Sequence, residues 1–354
     1  VHERLMSNLF RRTFRAESRR VGIPRVLPGG IRDKARLVQF LDTRRFGHRN
    51  YSPRRISDWS AMSKLTVVVP AFNEEDFIEG CLDRLVDQTR PIDEIIVVDN
   101  GSTDATPQIV DRYVDAHPTV TRLVEHTPGV MAARRAGFDA ATSDIIAKTD
   151  ADSRVAPDWA ERIVAFFDSD AGTDHAALTG PVLTWDGPFY EFQRKLQTKT
   201  LGPLGDGGEI KSVHGPNYAL RRTVWLRVRE KLQTTDDVWE DLDLGLTLSE
   251  TEHRIYFDPK VAADASCRQL RHSPWANRSY ITGGLRTARG RNNDAAIKTM
   301  RIDLPIRFVM FTGMWVLFRP WDPTKKNWRL HRLFLPLERE RRLVTSGRAA
   351  RGDR

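Results

Sequence analysis

Asp150-Ala151-Asp152 sets two carboxylates one residue apart. The run Asp144-Ile145-Ile146-Ala147-Lys148-Thr149 before it is short and apolar, as in a buried strand, and Pro157 followed by Ile163, Val164, Phe166 and Phe167 predicts a helix after it. The pair therefore falls at the end of a strand, among the loops where open α/β sheets bind ligands. Carboxylate oxygens at this spacing can share a hard cation and a diphosphate bound to it. The same residues would also suit a plain turn, so their surroundings decide. A second acidic group, Glu240-Asp241-Leu242-Asp243, opens another predicted helix. There the acids have either a chemical role or a simple dipole-stabilising one.

The elements that must position these groups follow one another regularly. Leu65-Thr66-Val67-Val68-Val69-Pro70 reads as a fully buried strand, and Phe77, Ile78, Cys81, Leu82, Leu85 and Val86 fall at helical spacing after it. Glu94 to Asp99 is a second buried strand that ends in Asn100-Gly101-Ser102-Thr103-Asp104, a turn leading to a helix near Pro107. Val120 to Glu125 is a third strand, and Gly129 to Ala141 is a helix of small residues carrying Arg134 and Arg135. With the strand before Asp150, this alternation predicts an α/β chain with a doubly wound, mostly parallel sheet. Beyond residue 170 the pattern becomes mixed: strands over Ala176 to Leu183, Val213 to Leu220 and Arg254 to Phe257, helices from Arg221 and Trp239, and a glycine-rich loop from Gly202 to Gly208.

The 354 residues, 40% hydrophobic and 29% charged, suffice for one large packed α/β domain with extensions, or for two small domains. Two cysteines, Cys81 and Cys267, offer neither a disulfide framework nor a zinc spacing, which fits a reducing, cytoplasmic compartment. The net charge of +9 is unevenly spread. Residues 1–60 hold 15 Lys+Arg against 5 Asp+Glu, and residues 319–354 hold 11 against 4, leaving the stretch between them at −8. Basic ends around an acidic middle suit an anionic membrane surface or a nucleic acid, and equally suit solvated tails. No run of about 18 apolar residues exists for a spanning helix. Phe308 to Phe318 is the nearest candidate, either a buried helix or one lying in an interface. The first residues show no apolar signal region, and Met62, just before the first strand, is a possible translation start. The expected division is a basic arm over 1–61, a main domain over 62–300 and a basic extension over 301–354.

Four motifs in order resemble the family 2 inverting glycosyltransferases. Val67-Val68-Val69-Pro70-Ala71-Phe72-Asn73-Glu74-Glu75 is similar to that family's opening, and Val97-Val98-Asp99-Asn100-Gly101-Ser102-Thr103-Asp104 to its second motif. Asp150-Ala151-Asp152 resembles its metal motif, and Trp239-Glu240-Asp241 its acceptor-side acids. The resemblance covers roughly residues 64 to 290 and implies a GT-A fold with a nucleotide-sugar donor. It implies that Pro70, Ala71, Glu74 and Asp99 line the nucleoside pocket, that Asp150 and Ala151 lie near the ribose, and that Asp152 reaches Mg²⁺ or Mn²⁺. Such a cation neutralises a departing diphosphate. Asp241 is then the expected base that takes the acceptor hydroxyl's proton, with Glu240 supporting it.

The resemblance extends to further residues. His214-Gly215-Pro216-Asn217-Tyr218 is similar to a Gly-X-Asn segment that shapes the donor-sugar pocket, with His214 where the family has a small residue. Ser266 to His272 is similar to an Arg-rich segment that covers the diphosphate, so Arg268 and Arg271 join the donor-binding set together with Arg134. His272 is a candidate third metal ligand or an ordinary surface histidine. Trp185, Tyr190 and Trp239 are candidates for stacking on a sugar or for core packing. The expected activity is metal-dependent transfer from a nucleoside-diphosphate sugar, UDP-linked, to a glycan or lipid-linked acceptor of the cell envelope, at the inner face of the membrane. The rival readings are a polyprenyl-phosphate glycosyltransferase and a non-catalytic nucleic-acid-binding protein. The crowding of motifs in the acidic middle argues against nucleic acid as a partner. Oligomeric state is not legible.

Overall fold

The structure, a computed structural model, describes residues 59–235 and 237–334. Most of the basic N-terminal arm and the last twenty residues of the C-terminal extension lie outside them. The first half alternates strand and helix as the apolar runs predict: β1 (Leu65–Ala71), α1 (Ile78–Val86), β2 (Glu94–Asp99), α2 (Thr106–Ala116), β3 (Val120–Val124), α3 (Val130–Ala140) and β4 (Ile145–Thr149). Then follow β5 (Arg154–Val155), α4 (Trp159–Phe167), β6 (Ala177–Thr179), β7 (Val182–Thr184), α5 (Tyr190–Thr200), β8 (Gly208–Ile210), β9 (Asn217–Arg221) and α6 (Arg222–Val228). The last elements are α7 (Glu240–Glu250), β10 (Ile255–Phe257), β11 (Ala263–Ala265), α8 (Arg278–Gly290), α9 (Asp294–Phe318) and a small hairpin, β12 (Trp321–Asp322) with β13 (Asn327–Trp328).

Eight strands form one sheet in the order β3-β2-β1-β4-β9-β6-β10-β8. β1 to β4 run parallel, β9 lies antiparallel between β4 and β6, and β10 is parallel to β6. The sheet is thus α/β and mostly parallel. Side chains alternate between its faces, so each strand feeds two cores. Val67, Val69, Ile95, Val97, Ile145 and Ala147 pack with α1, α2 and α4 on one face. Val68, Ile96, Val98 and Ile146 pack with Phe138, Trp225, Leu244 and Leu248 from α3, α6 and α7 on the other. α3 comes very close to the sheet: a Cβ at Gly137 would stand 2.4 Å from a methyl of Val68, so only glycine fits.

The strand expected over Ala176 to Leu183 is divided. β6 belongs to the main sheet, whereas β7 pairs with β11 in a separate three-stranded sheet. The break falls at Gly180-Pro181, where a Cβ on Gly180 would meet the Val261 carbonyl oxygen at 1.7 Å. Phe308 to Phe318 is the second half of the 25-residue helix α9, which runs through the expected domain boundary at residue 300. Only Phe311 and Phe318 of this helix are buried. None of the described helices is long and apolar enough to cross a membrane.

Candidate active site

The ends of β1, β2 and β4 converge because their register holds them level. Ala71 of β1 pairs with Asp99 of β2, and Val68 pairs with Lys148 of β4. Asp150 therefore leaves the sheet beside Pro70 to Glu74. A cleft of about 790 Å³ opens there, and Pro70, Ala71, Glu74, Asp150, Ala151, Asp152, Glu240, Asp241 and Arg268 all line it. The donor-side and acceptor-side acids named from the sequence thus face one void.

Two buried cations tie these acids together. Lys148 Nζ lies 2.6 Å from Asp150 Oδ1 and 2.6 Å from Glu240 Oε1, and donates to the Gly215 carbonyl at 3.0 Å. Burial opposes its charge, but Asp150 and Glu240 outweigh burial and hold the ammonium well above its ordinary range. Arg268 donates to both oxygens of Glu74, at 2.8 and 2.6 Å, while its Nε lies 3.0 Å from Asp152 Oδ2. A bidentate pair of this kind fixes geometry as well as charge. Arg134 supports Glu240 from beneath, its Nη1 3.7 Å from Oε2, and is itself fully buried.

Burial dominates the carboxylates' proton affinities. Asp152 is pushed up to about 7 by desolvation, which Arg268 counters and Glu74 and Asp150 reinforce. Glu74 is raised by the same desolvation against the pull of Arg268. Asp241 is raised first by burial and then by neighbouring Glu240, and its Oδ1 accepts the Leu242 amide at 2.8 Å. Gly215 leaves room at the other oxygen: a Cβ there would sit 3.6 Å from Asp241 Oδ2.

Other candidates have different surroundings. Asp99 is buried beside the cleft, with Oδ1 accepting the Ser102 amide at 3.0 Å and Oδ2 3.5 Å from Arg122. Asn217 lies beneath the floor: its amide accepts from Trp159 Nε1 at 2.8 Å and donates to the carbonyls of Pro181 and Val261. Arg271 pairs with buried Asp186 at 3.4 Å, away from the cleft lining. His214 contacts the Gly180 carbonyl through Nδ1 at 2.7 Å. Trp185 donates to the Asp152 carbonyl at 2.9 Å under the Arg154 guanidinium, and the Tyr190 hydroxyl donates to Asp264 at 2.7 Å.

Trp239 does line the cleft. Its indole donates to the Tyr280 carbonyl at 2.8 Å and lies against α8, where a Cβ at Gly283 would come within 2.4 Å of Nε1. Arg307 of α9 covers the ring, 4.3 Å from its centroid. The glycine step in α8 thus seats the residue that begins the helix of Glu240 and Asp241. Lys148, Tyr280 and Arg286 were not singled out from the sequence. Lys148 carried a usable signal, as the one charge inside an apolar strand, which demands a partner once buried.

The cation expected beside Asp152 can be tested against the donors. If all are ionised, six cleft carboxylates, Glu74, Asp150, Asp152, Asp237, Glu240 and Asp241, face four cations paired with them, Lys148, Arg134, Arg268 and Arg286. Two negative charges are left over. Among the described residues no three His, Cys, Asp or Glu groups converge into a closed metal cage. An oxygen-rich site with one or two carboxylates, completed by phosphate oxygens, is how Mg²⁺ is commonly held. The residues fit that group.

Residues 66–226 match the family described as Glycosyl transferase family 2. The chain is 33% identical over 105 residues to the uncharacterized glycosyltransferase YibD of Escherichia coli (strain K12), covering 30% of each chain. It is 27% identical over 241 residues to the probable glycosyltransferase YdaM of Bacillus subtilis (strain 168), covering 60% of this chain and 54% of that one. The chain spans 14% to 36% of the length of the first four curated relatives it matches. Among solved structures, the mannosyltransferase PcManGT from Pyrobaculum calidifontis, in complex with GDP-Man and Mn²⁺, shares 22% identity at a TM-score of 0.54, with 79% of each chain covered. That likeness is one of fold, the GT-A fold.

Proposed function

We propose, on the premise that residues 66–226 form a family 2 glycosyltransferase domain, that the chain is a metal-dependent inverting glycosyltransferase. It takes a sugar from a nucleoside-diphosphate donor, UDP-linked, and passes it to an acceptor hydroxyl of a glycan or lipid-linked glycan. The observation that carries this reading is the shared cleft. Asp150 and Asp152 stand at one side, Glu240 and Asp241 at the other, and Lys148 bridges them at 2.6 Å to each of Asp150 and Glu240.

Asp152, with Asp150, would hold Mg²⁺ or Mn²⁺, which supplies charge neutralisation for the departing diphosphate. Arg268 orients Asp152 and Glu74 from behind. Pro70, Ala71 and Glu74 line the nucleoside end, with Asp99 buried next to it. Asp241 takes the acceptor's proton at Oδ2, since Oδ1 is engaged by the Leu242 amide. Its raised proton affinity suits a base better than an ordinary surface aspartate would. Lys148 pairs with Glu240 and so holds the helix start that presents Asp241.

The test is a screen of nucleotide sugars for metal-dependent release of nucleoside diphosphate. Release that needs the metal and disappears in Asp152→Asn supports the reading. Metal-independent release, or none from any donor despite tight nucleotide binding, overturns it. A lipid-phosphate acceptor is a second reading, motivated by the apolar helix α9 that packs on Trp239 and Tyr280 through Arg307 and Phe311. A phosphate acceptor needs no strong base, so full activity in Asp241→Asn would favour it. We place the enzyme on the cytoplasmic face of a membrane, held through its basic segments.

A further inference from the structure

The proposed membrane location rests on chain-level charge; the outer face of α9 names a surface for it. Side chains of a helix that share a face recur at three- and four-residue steps. Ile302, Ile306, Val309, Gly313, Val316 and Leu317 recur in that way and all are exposed, Val309 to 72%. The opposite face carries buried Phe311 and Phe318, together with Arg307, which pairs with Asp303 at 2.8 Å and covers Trp239. The helix is therefore correctly seated on the domain and still presents an aliphatic stripe outward. From Ile302 to Leu317 the stripe is about 22 Å long at the usual helical rise. A soluble monomer rarely exposes so continuous an apolar face.

The stripe has neighbours of a matching kind. The hairpin after α9 exposes Trp328 and is followed by exposed Leu330 and Phe334. Trp328 touches Phe189, at 5.8 Å between ring centroids, which begins α5 with exposed Phe192 and Leu196. No residue of α5 is buried. The exposed charges beside these side chains are mainly basic: Lys195 and Lys199 on α5, and Lys325 and Lys326 at the hairpin tip. Arg194 and Glu191 neutralise each other at 2.9 Å. Lys298 and Arg301 stand on α9 just before the stripe begins. The sequence from 319 onward adds a net +7.

We infer that the outer face of α9, with the hairpin and α5, is a docking surface for an anionic lipid bilayer, on which α9 lies in the interface plane. Aliphatic side chains entering the acyl boundary, with tryptophans and lysines at headgroup level, form the pattern such an interface selects. Anionic lipid complements the lysine rim and the basic tail, whereas a protein partner would have to supply its own acids. Because the inner face of α9 packs on Trp239 and Tyr280, docking would bring the acceptor side of the cleft toward the membrane.

The experiment is sedimentation of the full chain with phosphatidylcholine vesicles, with and without phosphatidylglycerol. Wild type should pellet with the anionic vesicles, and less so at high salt. Val309→Asp with Val316→Asp changes only exposed positions and should weaken binding about tenfold or more. Lys325→Gln with Lys326→Gln should weaken it by about fivefold per charge removed. Nucleoside diphosphate release from the donor, measured in solution on the same preparations, should be unchanged in both variants. That readout separates a failed surface from a failed enzymatic reading. Wild type that ignores anionic vesicles overturns the inference. So does equal binding to neutral vesicles, or a concentration-dependent dimer that Val309→Asp dissolves, which would make the stripe a contact between two copies of the chain.

Discussion

Asp152→Asn should make the unliganded protein more stable at pH 8, while removing metal-dependent nucleotide binding. Asp152 is buried among Glu74 and Asp150, and its folded value of about 7 stands above the 3.8 of an ordinary aspartate. A carboxyl raised on folding is no burden below its unfolded value, becomes one as pH rises from there, and reaches the full cost above its folded value. For this shift the full cost at pH 8 is about 4 kcal/mol. The amide removes that cost and leaves Arg268 on both oxygens of Glu74. Urea unfolding followed by tryptophan fluorescence measures the difference. The mutant's advantage should be greatest at pH 8 and shrink steadily toward pH 5. Saturating Mn²⁺ and nucleoside diphosphate should then stabilise wild type by about 2–3 kcal/mol at a hundredfold excess over the dissociation constant, and the mutant by much less. A mutant less stable than wild type at pH 8 would refute the reasoning, because the Arg268 pair would then outweigh burial.

Asp241→Asn should lower turnover by about two to four orders of magnitude and leave donor binding intact, as measured by kinetics and calorimetry. In wild type the rate should fall on acidification through a value above the usual aspartate range, because burial and Glu240 raise Asp241 and only the carboxylate accepts the proton. Lys148→Met strands Asp150 and Glu240 and should cost about 3–5 kcal/mol of stability at neutral pH in denaturant titration. Gly283→Ala places a Cβ 2.4 Å from Trp239 Nε1; thermal unfolding should show a loss of about 1–3 kcal/mol, and turnover should fall with donor KM unchanged.

Much of the donor half was legible because buried parallel strands are nearly continuous apolar runs. Glu94–Asp99 and Ile145–Thr149 could be bounded almost to the residue, and the acids that end them stand at the sheet's rim. The cleft lining from Pro70 to Asp152 follows from that register. What the chain did not disclose depends on long-range partners. Resemblance marks Arg268 as a donor-side residue, but its pairing with Glu74, 194 residues back, shows only in the fold. Asn217 sits in a suggestive segment, yet its amide is occupied by Trp159 and two carbonyls. Ala176 to Leu183 reads as one strand only if the turn dipeptide Gly180-Pro181 is passed over, and the closeness of Val261 to Gly180 shows why the chain splits there. In α9 an internal proline, Pro305, masked a helix more than twice as long as the apolar run suggests.

The cleft's charges bear on why its acids are buried at all. Glu74, Asp152 and Asp241 each lie where desolvation raises their proton affinity, so each would be easier to fold as an amide. Lys148 and Arg268 offset only part of that cost. Counted over its lining and the buried Arg134, the cleft keeps an excess of negative charge. A cavity with that charge is poorly matched to a bare diphosphate and well matched to a diphosphate accompanied by a divalent cation. The same imbalance disfavours nucleic acid in the cleft, since phosphates without their cation would meet six carboxylates. The basic residues that could attract polyanions lie elsewhere, on the hairpin, α5 and α9, beside exposed aliphatic and aromatic side chains. Charge of one sign in the cleft and of the other on the rim suits an enzyme that gathers a metal-bound donor on one side while resting on an anionic surface with the other.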